Sequence, residues 1–319
     1  MPLNTPFWWS EKGLIPSLLQ PVAACYGAVT IWRARQASPQ RLSVPVICIG
    51  NAVAGGAGKT PLALAIGQWL KARQVQAAFV TRGYGGSETG PLRVDSSRHT
   101  AAQVGDEALL LARPLPTFVG RDRLAAARMA IAQGARMLVL DDGLQNYVIE
   151  KTFSFLVVDG EFGFGNGLLL PAGPLRESAA SAMEKAQAVV VIGGSFQPET
   201  SNPILRAALK PSAEAGALRG KNIFGFAGLG RPEKFRCTLE EMGCVVTGFQ
   251  GFSDHHPYRE KELEALQARA QAQNAVLVTT EKDAVRLPEM WRARVTVIPV
   301  QLQFAQPEIL HALLEPLCA

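Results

Sequence analysis

The sequence predicts an α/β fold in which a parallel sheet is flanked by helices and is followed by a second, smaller α/β domain. Three observations predict it. From residue 44 onward, short β-branched runs alternate with helical stretches. The strand candidates at 44–50, 77–81, 116–119, 137–140, 154–159 and 188–192 are short and continuously apolar, as parallel strands buried on both faces are. After a polar, proline-rich stretch between 193 and 221, the rhythm resumes with strands near 222–227, 245–249, 275–279 and 295–300, and helices near 232–242, 261–273 and 307–317. A chain of 319 residues accommodates two domains. We place an N-terminal helix region at 1–36, the larger domain at 37–215 and the smaller at 216–319.

The N-terminal region comes first in the chain. Residues 13–32 carry no charge, but Pro16, Gln20 and Pro21 interrupt the run, Arg33 and Arg35 follow it, and no cleavage site leads into a cysteine-rich domain. We therefore expect neither a spanning helix nor a signal peptide. Leu18, Val22, Cys25, Val29 and Trp32 recur at helical spacing, with Trp8 and Trp9 before them and Arg33, Arg35 and Arg41 after. That pattern suits a helix lying in a membrane surface, and a helix packed on its own domain has the same stripe.

The next element carries the chemistry. After the strand at 46–49 comes Gly50-Asn51-Ala52-Val53-Ala54-Gly55-Gly56-Ala57-Gly58-Lys59-Thr60-Pro61, and then an apolar helix. Strand, glycine-rich loop, Lys-Thr and helix stand in the order of a P-loop, so the larger domain is read as P-loop NTPase-like. Glycines let backbone N–H groups of residues Val53 to Thr60 converge on phosphate, the helix N-terminus adds its positive end, Lys59 reaches the β/γ-phosphates, and Thr60 offers a hydroxyl to Mg²⁺. The consensus places glycine where this chain has Val53, and the Gly55-Gly56 pair is expected to supply the lost flexibility. A carboxylate should end another buried strand, and Met137-Leu138-Val139-Leu140-Asp141-Asp142 supplies two for a metal ion, although Asp-Gly is also a common turn.

Composition limits the partners. The apolar fraction is 48% and the charged fraction 18%, which excludes a disordered chain. A net charge of +5 favours nucleotides, phospholipid headgroups or phosphorylated sugars. No basic run interleaved with aromatics marks nucleic acid as a partner. The five cysteines are scattered, with no C-x-x-C pair, so neither a disulfide framework nor a zinc site is expected, and a reducing cytoplasm fits.

Taken together and in order, the motifs resemble the tetraacyldisaccharide 4'-kinases of lipid A synthesis. They are the P-loop, Arg82-Gly83-Tyr84-Gly85, Gly105-Asp106-Glu107, Asp141-Asp142-Gly143-Leu144-Gln145, Gly163-Phe164-Gly165-Asn166-Gly167, Leu170-Pro171-Ala172-Gly173-Pro174-Leu175-Arg176-Glu177, Phe226-Ala227-Gly228-Leu229-Gly230, Asp254-His255-His256 and Thr279-Thr280-Glu281-Lys282-Asp283. The resemblance implies a peripheral enzyme of the cytoplasmic face of the inner membrane, which moves the γ-phosphoryl of ATP to the 4'-hydroxyl of a lipid-linked glucosamine disaccharide. It implies that Asp106 is the base, assisted by His255. It also accounts for Val53, because the family's P-loop glycine is displaced in the same way. The departure is Asn146, where the family pattern carries histidine; an amide cannot titrate, which argues against proton transfer there.

Other residues have readings of their own. Arg82 and Tyr84 follow a strand end, where open α/β sheets gather ligands, and are expected to meet the sugar or to pack the loop. Arg121, with Arg123, is a candidate clamp for the phosphate already on the substrate, or a solvated helix start. Arg176 closes a proline-rich loop beside the substrate, and Glu177 is a candidate to complete the metal's oxygen shell. Glu281 and Lys282 are expected to hold nucleotide across a domain cleft, or to form a structural ion pair. A P-loop switch or metal-insertion ATPase is the alternative class, but the membrane-recruited members carry lysine where this chain has Ala54.

Overall fold

The structure, a computed structural model, describes residues 6–11 and 13–318; of the expected N-terminal region, residues 1–5 and Lys12 lie outside the described residues. Helix α1 spans Leu14–Gln36, and β1 (Val46–Gly50) leads through the glycine-rich loop to α2 (Lys59–Ala72). There follow β2 (Ala77–Thr81), β3 (Leu92–Arg93), α3 (Ala101–Val104), α4 (Asp106–Leu111), β4 (Thr117–Val119), α5 (Arg123–Ala132), β5 (Met137–Asp141), β6 (Phe153–Asp159), α6 (Ala179–Lys185), β7 (Ala188–Ile192) and β8 (Ile204–Pro211). The remainder comprises β9 (Asn222–Ala227), α7 (Pro232–Glu241), β10 (Val245–Gly251), α8 (Glu260–Ala272), β11 (Val276–Thr280), α9 (Glu281–Ala284), α10 (Glu289–Arg292), β12 (Thr296–Ile298), β13 (Val300–Phe304) and α11 (Pro307–Leu314).

The strands form two sheets. The larger has the order β13-β8-β7-β6-β1-β5-β2-β4-β3, parallel except at its two edges, where β3 pairs with β4 and β13 with β8 in antiparallel fashion. Strands β1, β2, β5 and β7 are buried at every residue, which explains their unbroken apolar runs. Their two faces serve two layers. Ile47, Ile49, Phe79, Met137 and Val139 pack with Leu62, Ile66 and Leu70 of α2 and Leu310 and Leu314 of α11. Val46, Ala78, Val80, Leu138 and Leu140 pack with Ala126, Ala127 and Ala130 of α5. Gly67 permits the first layer, because a Cβ there would stand 2.6 Å from the ring of Phe79.

The smaller sheet, β10-β9-β11-β12, is parallel throughout. The expected 216–319 unit corresponds to it only in part, since β13 and α11 return to the larger sheet. The run at 295–300, read as one strand, is two strands in different sheets joined at Pro299. The polar stretch at 193–221, read as a boundary, contains β8. Strand β13 at the sheet edge and β8 beside it alternate more and less exposed residues and leave no continuous apolar run to read.

Helix α1 corrects a second expectation. Pro16 and Pro21 do not interrupt it: Pro16 lies in the first turn, where no intrahelical N–H partner is needed, and Pro21 removes a single bond from an otherwise continuous helix. Pro16, Ala23 and Gly27 are buried against the body, and a Cβ on Gly27 would stand 2.7 Å from the side chain of Leu169. The apolar stripe faces solvent, with Leu18 77% and Trp32 61% exposed and Val22, Cys25 and Val29 also exposed. It does not pack on the domain.

Candidate active site

The phosphate end grows from the tip of β1. Register aligns Ile49 with Asp141 on the neighbouring β5, so the glycine loop and the strand-end aspartate emerge side by side. Asn51 is buried and organises the loop: its Nδ2 donates to the carbonyls of Val53 at 2.9 Å and Gly55 at 3.3 Å, and its Oδ1 accepts from Lys59 Nζ at 3.2 Å. Lys59 also lies 3.5 Å from Asp142. Gly55 and Gly58 adopt φ of 122° and 91°, conformations open to glycine, and the turn at Gly58 leads directly into α2. Among the described residues, the amides of Gly55 through Thr60 donate to no protein carbonyl or side chain, which leaves a nest of N–H groups at a helix start.

Val53 and Ala54 play a different part from the one expected. Val53 bridges Leu175, the Ala54 amide donates to the Pro174 carbonyl at 2.7 Å, and the Arg176 amide donates to the Ala52 carbonyl at 2.7 Å. The rising limb of the loop is thus tied in extended form to segment 174–176. A β-branched residue suits that conformation where the consensus has glycine, and the Ala54 N–H is not available to phosphate.

Asp141 is the electrostatic anomaly of the site. It is 1% exposed, and among the described residues neither carboxylate oxygen has a hydrogen-bond partner. Burial first, then the nearby Glu107 and Asp142, push its carboxyl up to about 7, against the opposing pull of Lys59 and Arg123. A bound cation would remove the penalty of this lone buried carboxylate, so the residues present fit a divalent ion held by Asp141 and Thr60. Among the described residues no cluster of three or more His, Cys, Asp or Glu side chains forms a cage, so phosphate and water would have to complete the shell. Glu177 is engaged elsewhere in this structure: its Oε1 accepts from Gln145 at 3.0 Å, and its Oε2 accepts from Ser181 at 2.9 Å and pairs with Lys185. Asp142 is shared between Lys59 and Arg176; burial, the largest single effect, pushes its carboxyl up, but the charges of Lys59, Arg176 and Arg123 together outweigh it and hold it below the ordinary range.

The acceptor end is assembled from both sheets. Gly83, Gly86 and Gly105 let the loop after β2 lie against the start of α4: a Cβ on Gly105 would stand 2.5 Å from the Tyr84 carbonyl, and one on Gly86 2.4 Å from that of Gln103. This close approach presents Asp106. The Asp106 carboxylate is 3% exposed and its Oδ2 accepts from His255 Nδ1 at 2.9 Å, His255 coming from the loop after β10 of the smaller sheet. Burial pushes the Asp106 carboxyl up, but the His255 hydrogen bond and the charges of Lys282 and Arg286 outweigh it and hold it below the usual range. Glu107, the next residue, accepts from Thr60 Oγ1 at 3.2 Å, so one residue separates the two ends of the site. Asp142 and His255 adopt positive φ of 51° and 58°, an uncommon state for non-glycine residues.

Other candidates separate into those the fold gathers and those it does not. Lys282 points inward, 3.4 Å from His255 Nε2 and from Asp254 and 3.8 Å from Glu107, and so stands at the acceptor end. Glu281 pairs with Arg113. Tyr84 is 69% exposed with its ring 5.5 Å from that of His255, a placement open to a sugar. Arg82 is exposed nearby, whereas Arg121 is exposed with only its amide engaged, by the Thr89 carbonyl. It is Arg123 that enters the site, donating to the Asp142 carbonyl at 2.9 Å. Arg176 grips both oxygens of Asp142 at 3.2 Å. Asn146 accepts from the amides of Val148 and Ile149, a local turn role that needs no titration. Sequence reasoning assigned no role to Asn51, Glu107 or Arg286. Asn51 and Glu107 adjoin motif residues and were findable on that ground, whereas Arg286 carries no local signal.

A glycine-rich loop between a buried strand and a helix, with an unpartnered aspartate at the next strand end and a His–Asp pair opposite, defines a P-loop protein with an acceptor-activating site. Comparison with known proteins narrows the class. The model of the tetraacyldisaccharide-1-P 4'-kinase family matches residues 15–318, and the chain belongs to that family. It is 45% identical to the tetraacyldisaccharide 4'-kinase of Paramagnetospirillum magneticum, covering 98% of both chains. It is 47% identical to that of Rhodospirillum centenum, covering 98% of this chain and 95% of the other. The fold matches that of LpxK from Aquifex aeolicus, solved as an "apo" form in complex with ATP, with a TM-score of 0.78 at 22% identity over 96% of this chain and 100% of that one.

Proposed function

We propose that the protein transfers the γ-phosphoryl group of ATP, with Mg²⁺, to the 4'-hydroxyl of a tetraacyldisaccharide 1-phosphate, making the 4'-phosphorylated lipid. The observation that carries this reading is the carboxylate Asp106, held ionised and hydrogen-bonded to His255, one residue away from the contact with P-loop Thr60. A switch ATPase has no need of a buried base aimed beside its phosphate loop.

In this reading the amides of Gly55 to Thr60 cradle the phosphates, and Lys59, now resting on Asn51 and Asp142, swings its ammonium to the β/γ-oxygens. Bound Mg²⁺ supplies charge neutralisation on those oxygens; Thr60 and Asp141 would hold it. Asp106 accepts the proton of the acceptor hydroxyl as transfer proceeds, and His255 orients it. Tyr84 and Arg82 line the approach of the sugar, and Arg123 and Arg176 fix Asp142.

Helix α1 brings the protein to its lipid. It is 23 residues long with a best-window mean hydropathy of 1.5, which by length and composition alone is enough to cross a membrane. Its small buried face against the body and its exposed stripe, followed by Arg33 and Arg35, favour a helix lying in the surface of the inner membrane's cytoplasmic face. The decisive experiment incubates the protein with ATP, Mg²⁺ and the monophosphorylated disaccharide lipid in detergent. A bisphosphorylated product is expected; ATP hydrolysis with no phosphorylated lipid would overturn the assignment.

A further inference from the structure

The Asp106 carboxylate has a third partner that the kinase reading does not require. Arg286, just after α9, places Nε 3.3 Å from Asp106 Oδ2, with the two side chains 6% and 3% exposed. Every other group around this guanidinium belongs to the smaller sheet's side of the molecule. Its Nη2 lies 3.2 Å from Asp283 and donates to the Gly228 carbonyl at 3.0 Å, its Nη1 donates to the His256 carbonyl at 3.3 Å, and its Nε also donates to the Lys282 carbonyl at 3.1 Å.

Asp283 is itself fully buried and saturated. Its Oδ1 accepts from the Gly228 amide at 2.8 Å and from the Tyr258 hydroxyl at 2.5 Å, and its Oδ2 accepts from Thr280 at 2.5 Å. Burial and the Asp283 charge push the Tyr258 hydroxyl up, so it remains a donor. Arg286 therefore stands in a rigid socket that holds its charge against Asp106. Such planar, multi-donor fixing suits a guanidinium and not an ammonium.

The two oxygens of Asp106 are consequently unequal. Oδ2 accepts from His255 Nδ1 and lies 3.3 Å from the charged Arg286 Nε in an ion pair, whereas Oδ1, among the described residues, accepts only from the Glu107 amide at 2.9 Å. We infer that Arg286 is a positioning residue for the acceptor base: with His255 it immobilises Oδ2, so that Oδ1 alone is presented to the acceptor hydroxyl and takes its proton. The carboxylate is carried on α4 of the larger sheet's side, but its orientation is set by the smaller. Docking of the two halves and competence of the base are then one event. This inference rests on the reading of Asp106 as the base.

The test compares Arg286→Lys, Arg286→Met and Asp106→Ala in the full-length protein, following kcat, the KM for ATP and thermal stability. Arg286→Lys keeps the cation but cannot span Asp106 and Asp283 together; it is expected to stay folded, to lose about 10-fold in kcat and to keep the KM for ATP within about twofold. Arg286→Met should lose about 10²-fold in kcat if it folds. A wild-type kcat in Arg286→Lys, or in a folded Arg286→Met, would overturn the inference. So would loss of the fold in both variants, which would make Arg286 purely architectural, or an equal rise in the KM for ATP. If Asp106→Ala itself turns over normally, the base assignment fails first; an inactive Asp106→Ala beside normal Arg286 variants refutes the positioning role alone.

Discussion

The two ends of the site are built in opposite ways. The phosphate end is local: residues 50–60 form one turn between β1 and α2, and its partner Asp141 ends the strand next door. The acceptor end is distributed, since Asp106 meets His255 across 149 positions of sequence, and Lys282 and Arg286 come from further along still. The first end works mainly through backbone amides that the turn fixes by itself. The second works through side-chain charges that have meaning only when two sheets are docked. Asp159, the last residue of β6, and Glu161 just after it reinforce that docking by pairing with Arg231 and Lys234 at the start of α7. The difference predicts that damage to the phosphate end affects nucleotide use directly, while damage to the acceptor end leaves nucleotide binding alone.

The largest effect is expected from Lys59→Ala. Removing the one P-loop cation from the transferring phosphoryl group should lower kcat by about 10³-fold, and the KM for ATP should rise with it. Retention of near-normal turnover would break the comparison at its firmer end. Next, Asp106→Ala and His255→Ala are each expected to lower kcat by about 10²-fold or more with little change in the KM for ATP. In the double variant the losses should fall well short of additive, because the pair acts as a unit. Full additivity measured in that cycle would dissolve the dyad.

The same division explains what the sequence disclosed. The strand positions of the parallel core, the P-loop and the Asp141 strand end were legible because each is a short run whose chemistry is set by its neighbours in sequence. The hold of Gln145 and Lys185 on Glu177 was not legible for the opposite reason: no spacing rule announces that knot. Arg121 and Arg123 are two residues apart on one turn, and only the packing of α5 on the sheet decides that the second reaches Asp142. Strand β8, second from the sheet edge, was hidden because it alternates buried and part-exposed residues. The return of β13 to the larger sheet was hidden because only Pro299 separates it from β12, so the two strands look like one running on.

A third expectation concerns the metal and carries a sign. The unfolded chain releases the Asp141 proton near the ordinary value of 3.8, whereas the folded protein holds it to about 7. Between those values the unfolded state binds fewer protons, so Asp141 makes the metal-free protein less stable as pH rises from about 4 to about 7, and adds no further slope above that. In metal-free buffer, thermal scans should show wild type losing on the order of 5 °C relative to Asp141→Asn across this window. Mg²⁺ added near pH 7.5 should restore much of that in wild type and little in the variant. Parallel pH profiles for the two proteins, or an equal response to Mg²⁺, would remove Asp141 as the cation's anchor and weaken the phosphate end as described.

The smallest effect should come from α1, and it sharpens the comparison because it touches the lipid alone. Its exposed stripe makes no contribution to the core, so Val22→Glu and Val29→Glu, 55% and 49% exposed, should leave the melting temperature nearly unchanged. Each apolar side chain that enters the headgroup region contributes about 1.5 kcal/mol, close to tenfold in partitioning, and a carboxylate adds repulsion from anionic lipid. Each variant is therefore expected to bind anionic vesicles roughly 10-fold more weakly in sedimentation assays. The KM for the lipid acceptor should rise in vesicles, while the KM for ATP stays fixed. In detergent, where the surface is no longer shared between enzyme and substrate, the penalty should shrink. Vesicle binding that matches wild type in both variants would mean that the stripe is not the membrane face. A rise in the KM for ATP would instead mean that α1 acts through its contact with Leu169 on the segment that holds the P-loop.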